Sequence, residues 1–331
     1  MKKDSQLKYE NITFIKGIKD ICSILVLKDG RIAIGTEHLK IYSGKTFHFD
    51  FEIPLKNYFD KDRRLFTFIK LIYLKSGDIL VSNNHKIFLI IKIIDNEKKY
   101  EFLQIFESNC SLPWITRICE LTNNSIATIG VHYDIEFFSK NEDNKYYSSK
   151  IIKDAHKRDG YKTLIEIPNN RIMTFSGKLR EFKVWDLYNY ECIFRGEISD
   201  PDCYDDMIYL ILNRYVLIRC PLGLTIIDIN NNYNKHLVFD DDLVYSMMKL
   251  DEKEFMFLTE KSIKKVKLNI DKLRFEVENN SKGFFSKEGY GLGHTLVKIK
   301  EDTYLTYIHK NSYSSLEGCD TPLLIFKYYN N

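Results

Sequence analysis

The sequence predicts an all-β chain folded as a seven-bladed propeller of four-stranded antiparallel blades. Three observations lead to it: a six-residue turn signature that recurs seven times, short apolar runs between the turns, and a composition rich in aromatics and poor in alanine.

The signature is an apolar residue, a tight polar turn, and a second apolar residue five positions on. It reads Leu27-Lys-Asp-Gly-Arg-Ile32, Leu74-Lys-Ser-Gly-Asp-Ile79, Leu121-Thr-Asn-Asn-Ser-Ile126 and Ile167-Pro-Asn-Asn-Arg-Ile172, then Ile211 to Val216, Leu250 to Phe255 and Ile299 to Tyr304. Successive starts lie 47, 47, 46, 44, 39 and 49 residues apart. A repeat of this length carrying four strands is the spacing of a propeller blade, whereas helical repeats would show apolar faces of period 3.6.

The unit is clearest between Tyr161 and Phe194, where the apolar runs Leu164 to Ile167, Ile172 to Phe175, Phe182 to Leu187 and Cys192 to Phe194 are separated by turn formers. The first unit divides into Ile21 to Leu27, Arg31 to Thr36, Leu39 to Ser43 and Thr46 to Ile53. The second divides into Phe66 to Leu74, Asp78 to Ser82, Lys86 to Ile94 and Lys99 to Phe106. Inner strands touch blades on both faces, which explains unbroken runs such as Ile24-Leu25-Val26-Leu27, and outer strands should alternate. The blades are expected at about 20–53, 66–106, 114–152, 161–197, 205–239, 243–278 and 293–328, forming one domain over residues 1–331. The last unit lacks a strand, and Leu7 to Phe14 is spare at the other end. Pairing it outside Leu323 to Tyr328 closes the ring between the termini.

Composition agrees. The chain has 22 Tyr and 22 Phe but only three alanines, Ala33, Ala127 and Ala155, which disfavours a helical bundle. A net charge of +3 from 49 basic and 46 acidic side chains gives no global field for nucleic acid. Seven scattered cysteines (Cys22, Cys110, Cys119, Cys192, Cys203, Cys220, Cys319) with no C-x-x-C indicate reduced thiols. Charges interrupt every apolar run short of the ~20 residues a spanning helix needs. These features predict a cytoplasmic or nuclear protein without a transmembrane segment.

Val184-Trp185-Asp186-Leu187 resembles the end of the third strand of a WD40 repeat. Pro168-Asn169-Asn170 stands where that family usually has Pro-Asp-Gly, and His156 lies near its Gly-His position. On these residues the chain resembles a divergent seven-bladed WD40-type propeller. At the same third-strand position the other units offer Ile41-Tyr42, Ile93-Ile94, Phe137-Phe138, Ile227-Asp228, Val266-Lys267 and Phe326-Lys327, so the dipeptide is mostly lost. The family anchors His, Ser and Trp side chains through an Asp in the turn between the second and third strands. Here that turn reads Gly177-Lys178-Leu179, so the resemblance implies a partial network of Ser176 and Trp185 without an acidic member. Gly293-His294 has the family's letters but lies too close to Ile299 to be in register.

No chemistry-bearing motif is present. The eight histidines are dispersed, without the clusters zinc requires, and no G-x-S-x-G, P-loop or strand-preceded G-x-G-x-x-G occurs. Gly289-Tyr-Gly-Leu-Gly293 reads as a flexible connector, because a strand rather than a helix follows it. Phe194-Arg195-Gly196 is similar to the Phe-Arg-Arg-Gly of phosphoinositide-binding propellers but lacks one arginine, so Arg195 reads as an exposed strand residue. No cofactor, metal or catalytic residue is expected.

The connectors from each outer strand to the next inner strand emerge on one face, and their charge is polarised. Lys61, Arg63 and Arg64 lead into the second blade; His156, Lys157 and Arg158 lead into the fourth. Asp202, Asp205 and Asp206 lead into the fifth, and Asp241 and Asp242 into the sixth. A basic arc thus meets an acidic one, a pattern that orients a docking partner. Phe284 and Phe285, in the insert Asn279 to Leu292, form an aromatic pair that either anchors a partner or folds back over the edge of the blade; Lys310 to Thr321 is a second insert. The resemblance implies a non-catalytic scaffold that binds proteins or peptides. The alternative is an enzyme or small-ligand binder that uses the central channel, which polar inner-strand starts would favour. The starts read here are largely apolar.

Overall fold

The computed structural model describes residues 9–15, 18, 21–55, 58, 70–83, 86–94, 97–110, 115–131, 134–157, 162–177, 179–198, 207–220, 223–239, 244–259, 262–282, 290–310 and 323–328. They form seven four-stranded antiparallel sheets, and in six of these the strands lie side by side in chain order. The seventh runs Tyr290–Lys300, Thr303–Lys310, Leu323–Tyr328 and then Tyr9–Ile15, with Tyr9 opposite Tyr328 and Ile15 opposite Leu323. The chain's two ends therefore close the ring, as the spare N-terminal strand predicted.

The turn signature has a backbone cause. Gly30 and Gly77 sit at φ +83 and +94, and the matching Asn124 and Asn170 at φ 64 and 53, in the left-handed region that Gly and Asn tolerate best. In each of the first three turns the fourth residue donates its N–H to the first, as Gly30 does to Leu27 O at 2.9 Å. Blade 5 breaks the rule, placing Leu212 at φ 50 beside Asn213 at φ 51.

Side chains from the blade faces pack into seven apolar clusters among the described residues, one for each seam between neighbouring blades. Ala33 and Ile41 meet Val81 and Leu89 between blades 1 and 2. Ile32 and Ile34 meet Leu305 and Ile325 across the closing seam. Burial of this kind stabilises by about 25 cal/mol per Å² of apolar surface removed from water, so the closing seam contributes like any other. Ile32–Gly35 and Ile79–Ser82 are buried throughout, while the outer strands Tyr100–Glu107 and Cys192–Glu197 alternate. Inner strands of adjoining blades also touch: Ser23–Val26 lies against both Lys70–Tyr73 and Tyr290–Lys300.

Two sequence expectations need correction. Gly291 and Gly293 are not in a flexible connector but in the first strand of blade 7, where Gly291 pairs with His309 and Leu292 with Ile308, because the second strand is long enough to extend the ladder. Strand pairing also resets the third-strand alignment. The residues equivalent to Trp185 are Tyr42, Ile91, Phe138, Ile227, Val266 and Phe326, each opposite the apolar residue that ends the turn signature. Blades 1, 2 and 3 are thus aligned on Tyr42, Ile91 and Phe138 rather than Ile41, Ile93 and Phe137, since register along the third strand was not visible in its apolar run.

Candidate docking face and the polar network beneath it

Blade 4 carries its polar network on the connector side. The second strand Arg171–Ser176 pairs with the third strand Glu181–Asp186, and their inward residues alternate with the apolar seam residues. Trp185 Nε1 donates to Thr174 Oγ1 at 2.9 Å, His156 Nε2 lies 2.9 Å from the same oxygen, and His156 Nδ1 lies 2.8 Å from Glu181 Oε1. Lys183 Nζ closes the set, 3.1 Å from Glu181 Oε1 and donating to Ala155 O at 2.5 Å.

An indole N–H can only donate, so Thr174 accepts from Trp185 and gives its own proton to His156 Nε2. His156 then carries its proton on Nδ1 and donates to Glu181. The tautomer follows from the network, and Trp185, Thr174, His156 and Glu181 are each satisfied within it. Burial holds the His156 ring below the ordinary histidine range, because a low-dielectric site disfavours the imidazolium; Glu181 opposes this and Lys183 and Lys162 reinforce it. Burial alone would raise the Glu181 carboxyl, but hydrogen bonds from His156 and Lys183 outweigh it and hold Glu181 below the usual carboxylate range.

This network differs from the one the resemblance implied. The hydroxyl member is Thr174, not Ser176, whose Oγ is buried without a hydrogen bond. An acidic member exists after all: Glu181 opens the third strand directly across from Ser176, just past the turn where Asp was sought. The sequence signal that could have found both is the pairing itself, because Thr174 sits opposite Lys183 and so shares a face with Trp185 and Glu181, two residues to either side.

Blade 3 solves the same problem with the opposite charge. Glu136 stands opposite Thr128 as Lys183 stands opposite Thr174. Fully buried, it accepts from Asn109 N at 2.8 Å and Ser148 Oγ at 2.6 Å, and from the Ser108 hydroxyl. Ser108 and Asn109 lead into blade 3, and Ala155 and His156 lead into blade 4. In both blades a buried charge on the third strand therefore fixes the incoming connector. Between the two, Asp134 Oδ1 accepts from Asp154 N at 3.0 Å.

Of the expected docking residues, His156 and Lys157 fall within the described residues. His156 corrects its assignment: the side chain is fully buried and committed to Glu181 and Thr174, so it positions the connector instead of facing a partner. Lys157, next to it, is exposed. Lys61, Arg63, Arg64, Arg158, Asp202, Asp205, Asp206, Asp241, Asp242, Phe284 and Phe285 lie outside the described residues.

The inner-strand starts are more polar than expected, with Ser23, Lys70 and Lys162 at first positions. Both amines reach toward blade 3, Lys162 to Val131 O at 2.5 Å and Lys70 to Thr116 O. Long alkyl stems let these lysines cross a seam, which a search for apolar runs treats as a break. Arg195 is exposed on the outer strand, as expected. Gly196 beside it is explained by packing, since an added Cβ would come 2.3 Å from the ring of Phe182, which Phe194 stacks. Among the described residues no three His, Cys, Asp or Glu side chains gather to hold a metal ion, and no helix is long and apolar enough to cross a membrane.

No family model and no curated protein matches the sequence. Solved structures do match in fold. A crystal structure of Chaetomium thermophilum Raptor superposes with a TM-score of 0.71 at 9% identity over 98% of this chain, which spans 30% of that one. The RRP9 WD40 repeats superpose with a TM-score of 0.69 at 10% identity, over 98% of this chain and 100% of theirs. U3-55K gives 0.68 at 11% identity, over 95% and 98%. With its seven closed blades and the His156–Thr174–Trp185 network, the chain has the fold of a WD40-type seven-bladed β-propeller.

Proposed function

We propose that this chain is a non-catalytic scaffold, one propeller unit over residues 1–331 that holds protein or peptide partners on its connector face, in the cytoplasm or nucleus. The observation that carries the reading is the fixing of two successive connectors by buried charges, Glu136 on Ser108-Asn109 and Lys183 on Ala155. A pre-organised loop loses less entropy on docking, so burying polar groups beneath it makes sense for a recognition surface. The polarised charge of the connectors supports the same reading, with Lys157-Arg158 the last basic connector in chain order before the acidic ones. The fold likeness supports it by analogy alone.

The channel alternative draws on Lys70 and Lys162, but each amine is bound to a backbone carbonyl, which leaves it poorly placed to act on a ligand. The test is purification from the native source with identification of stoichiometric partners. A reproducible protein partner is the expected result. A chain that purifies alone and turns over a small molecule would overturn the scaffold reading.

A further inference from the structure

We propose that His156 is a pH-operated latch: its neutral ring holds connector residues 153–157 on blade 4, and its protonation loosens them. The groups around the ring come from three elements. Glu181, Lys183 and Trp185 face it from the third strand, Thr174 from the second and Lys162 from the first, while Asp154 and Lys157 flank it on the connector.

With the ring neutral, each proton has an acceptor: Trp185 to Thr174, Thr174 to His156 Nε2, His156 Nδ1 to Glu181. Protonation puts an N–H on Nε2 that points at Thr174 Oγ1, which already receives the indole proton. The threonine proton then faces a donor and must turn away from the ring. The added charge is also fully buried, beside two lysines and one carboxylate. Both effects act on His156, which together with Ala155 ties the connector to the third strand. The Asp154–Asp134 bond is untouched, so the segment loosens at its Ala155–Lys157 end.

The sign follows from linkage. The folded ring titrates below the ordinary histidine value of about 6.5, so the latch is fully closed above that pH. Its contribution is lost as pH falls through the lower, folded value. The consequence for a partner rests on the connector-face reading; the latch itself is measured without one.

The experiment pairs two measurements on the full chain between about pH 8 and about pH 5. Imidazole nitrogen NMR follows the His156 ring, and hydrogen exchange, corrected for intrinsic rates, follows the connector amides. The expected result is a ring that is neutral and protonated at Nδ1 at high pH, with connector protection falling as it titrates. Glu181→Gln should move the midpoint down and Lys183→Met should move it up, each by about one unit. Lys183→Met also lowers protection at every pH, since it deletes the bond to Ala155. A purely structural role predicts lost protection without opposed midpoint shifts. Protection that ignores the ring's titration, midpoints that move the same way, or a ring that stays neutral until global unfolding would each overturn the latch. If the latch holds while no partner is found, the scaffold reading fails alone.

Discussion

Glu166, in the first strand of blade 4, holds Thr122 in the first turn of blade 3. Its carboxylate accepts the Thr122 backbone N–H at 2.8 Å and hydroxyl at 2.6 Å. Glu120 does the same one seam earlier, accepting Lys75 N at 2.6 Å, and Glu252 accepts Leu212 N at 2.8 Å between blades 5 and 6. Polar clasps therefore join blades on the turn face, as buried charges fix connectors on the other. Replacing Glu166 with Ala should lower stability by about 1 kcal/mol, read as a lower urea midpoint with an unchanged m-value. An unchanged midpoint would show that the clasp contributes nothing.

The blade 4 network ranks two substitutions. Trp185→Phe removes one donor and leaves Thr174 still bonded to His156, whereas Thr174→Val orphans both the indole N–H and the His156 Nε2 lone pair. An unsatisfied buried group costs about 1–3 kcal/mol, so Thr174→Val should be the more destabilising despite the smaller change in volume. Chemical denaturation of the two variants decides it. The reverse order would mean that indole packing, not the hydrogen bonds, dominates.

Leu212 occupies a left-handed conformation at φ 50 in a turn where blades 1 to 4 use Gly or Asn for that conformation, and its side chain is exposed. Leu212→Asn should relieve about 1 kcal/mol of strain while giving up little burial, and so raise Tm. A lower Tm would show that the leucine packs usefully in solution.

Cys110 lies in the same connector as Ser108, its backbone N–H donating to the Ser108 hydroxyl oxygen at 3.1 Å. Burial, reinforced by the neighbouring Glu136 carboxylate, pushes its thiol up to about 12. The thiolate is the reactive form, so Cys110 should resist iodoacetamide near pH 8 under conditions that alkylate a free thiol fully. Glu136→Gln should speed its labelling. Rapid labelling of the unsubstituted chain would contradict the buried carboxylate's influence.

The seven-fold repeat was legible because turn chemistry is local: Gly30, Gly77, Asn124 and Asn170 mark positions where the backbone itself demands them. Closure was legible because the strand missing beyond Leu323–Tyr328 and the spare one read at Leu7 to Phe14, found at Tyr9–Ile15, fit together by count. The polar network was only half legible. His156 and Trp185 could be located along the sequence, but which hydroxyl and which carboxylate meet them depends on strand register, which places Thr174 and Glu181 there and leaves Ser176 aside. Glu136 and Lys162 were missed for a related reason, since a charge inside an apolar run reads as a surface position until its buried partner across a seam is known.

The central claim is that the connector face is a polarised docking surface. Its most direct measurement is the association kinetics of a co-purified partner with the full chain and with a variant carrying Arg63→Glu, Arg64→Glu and Arg158→Glu together, each across a range of salt. The account predicts slower association, weaker binding and a flatter salt dependence for the variant. Affinity and salt dependence that match those of the unsubstituted chain would contradict it.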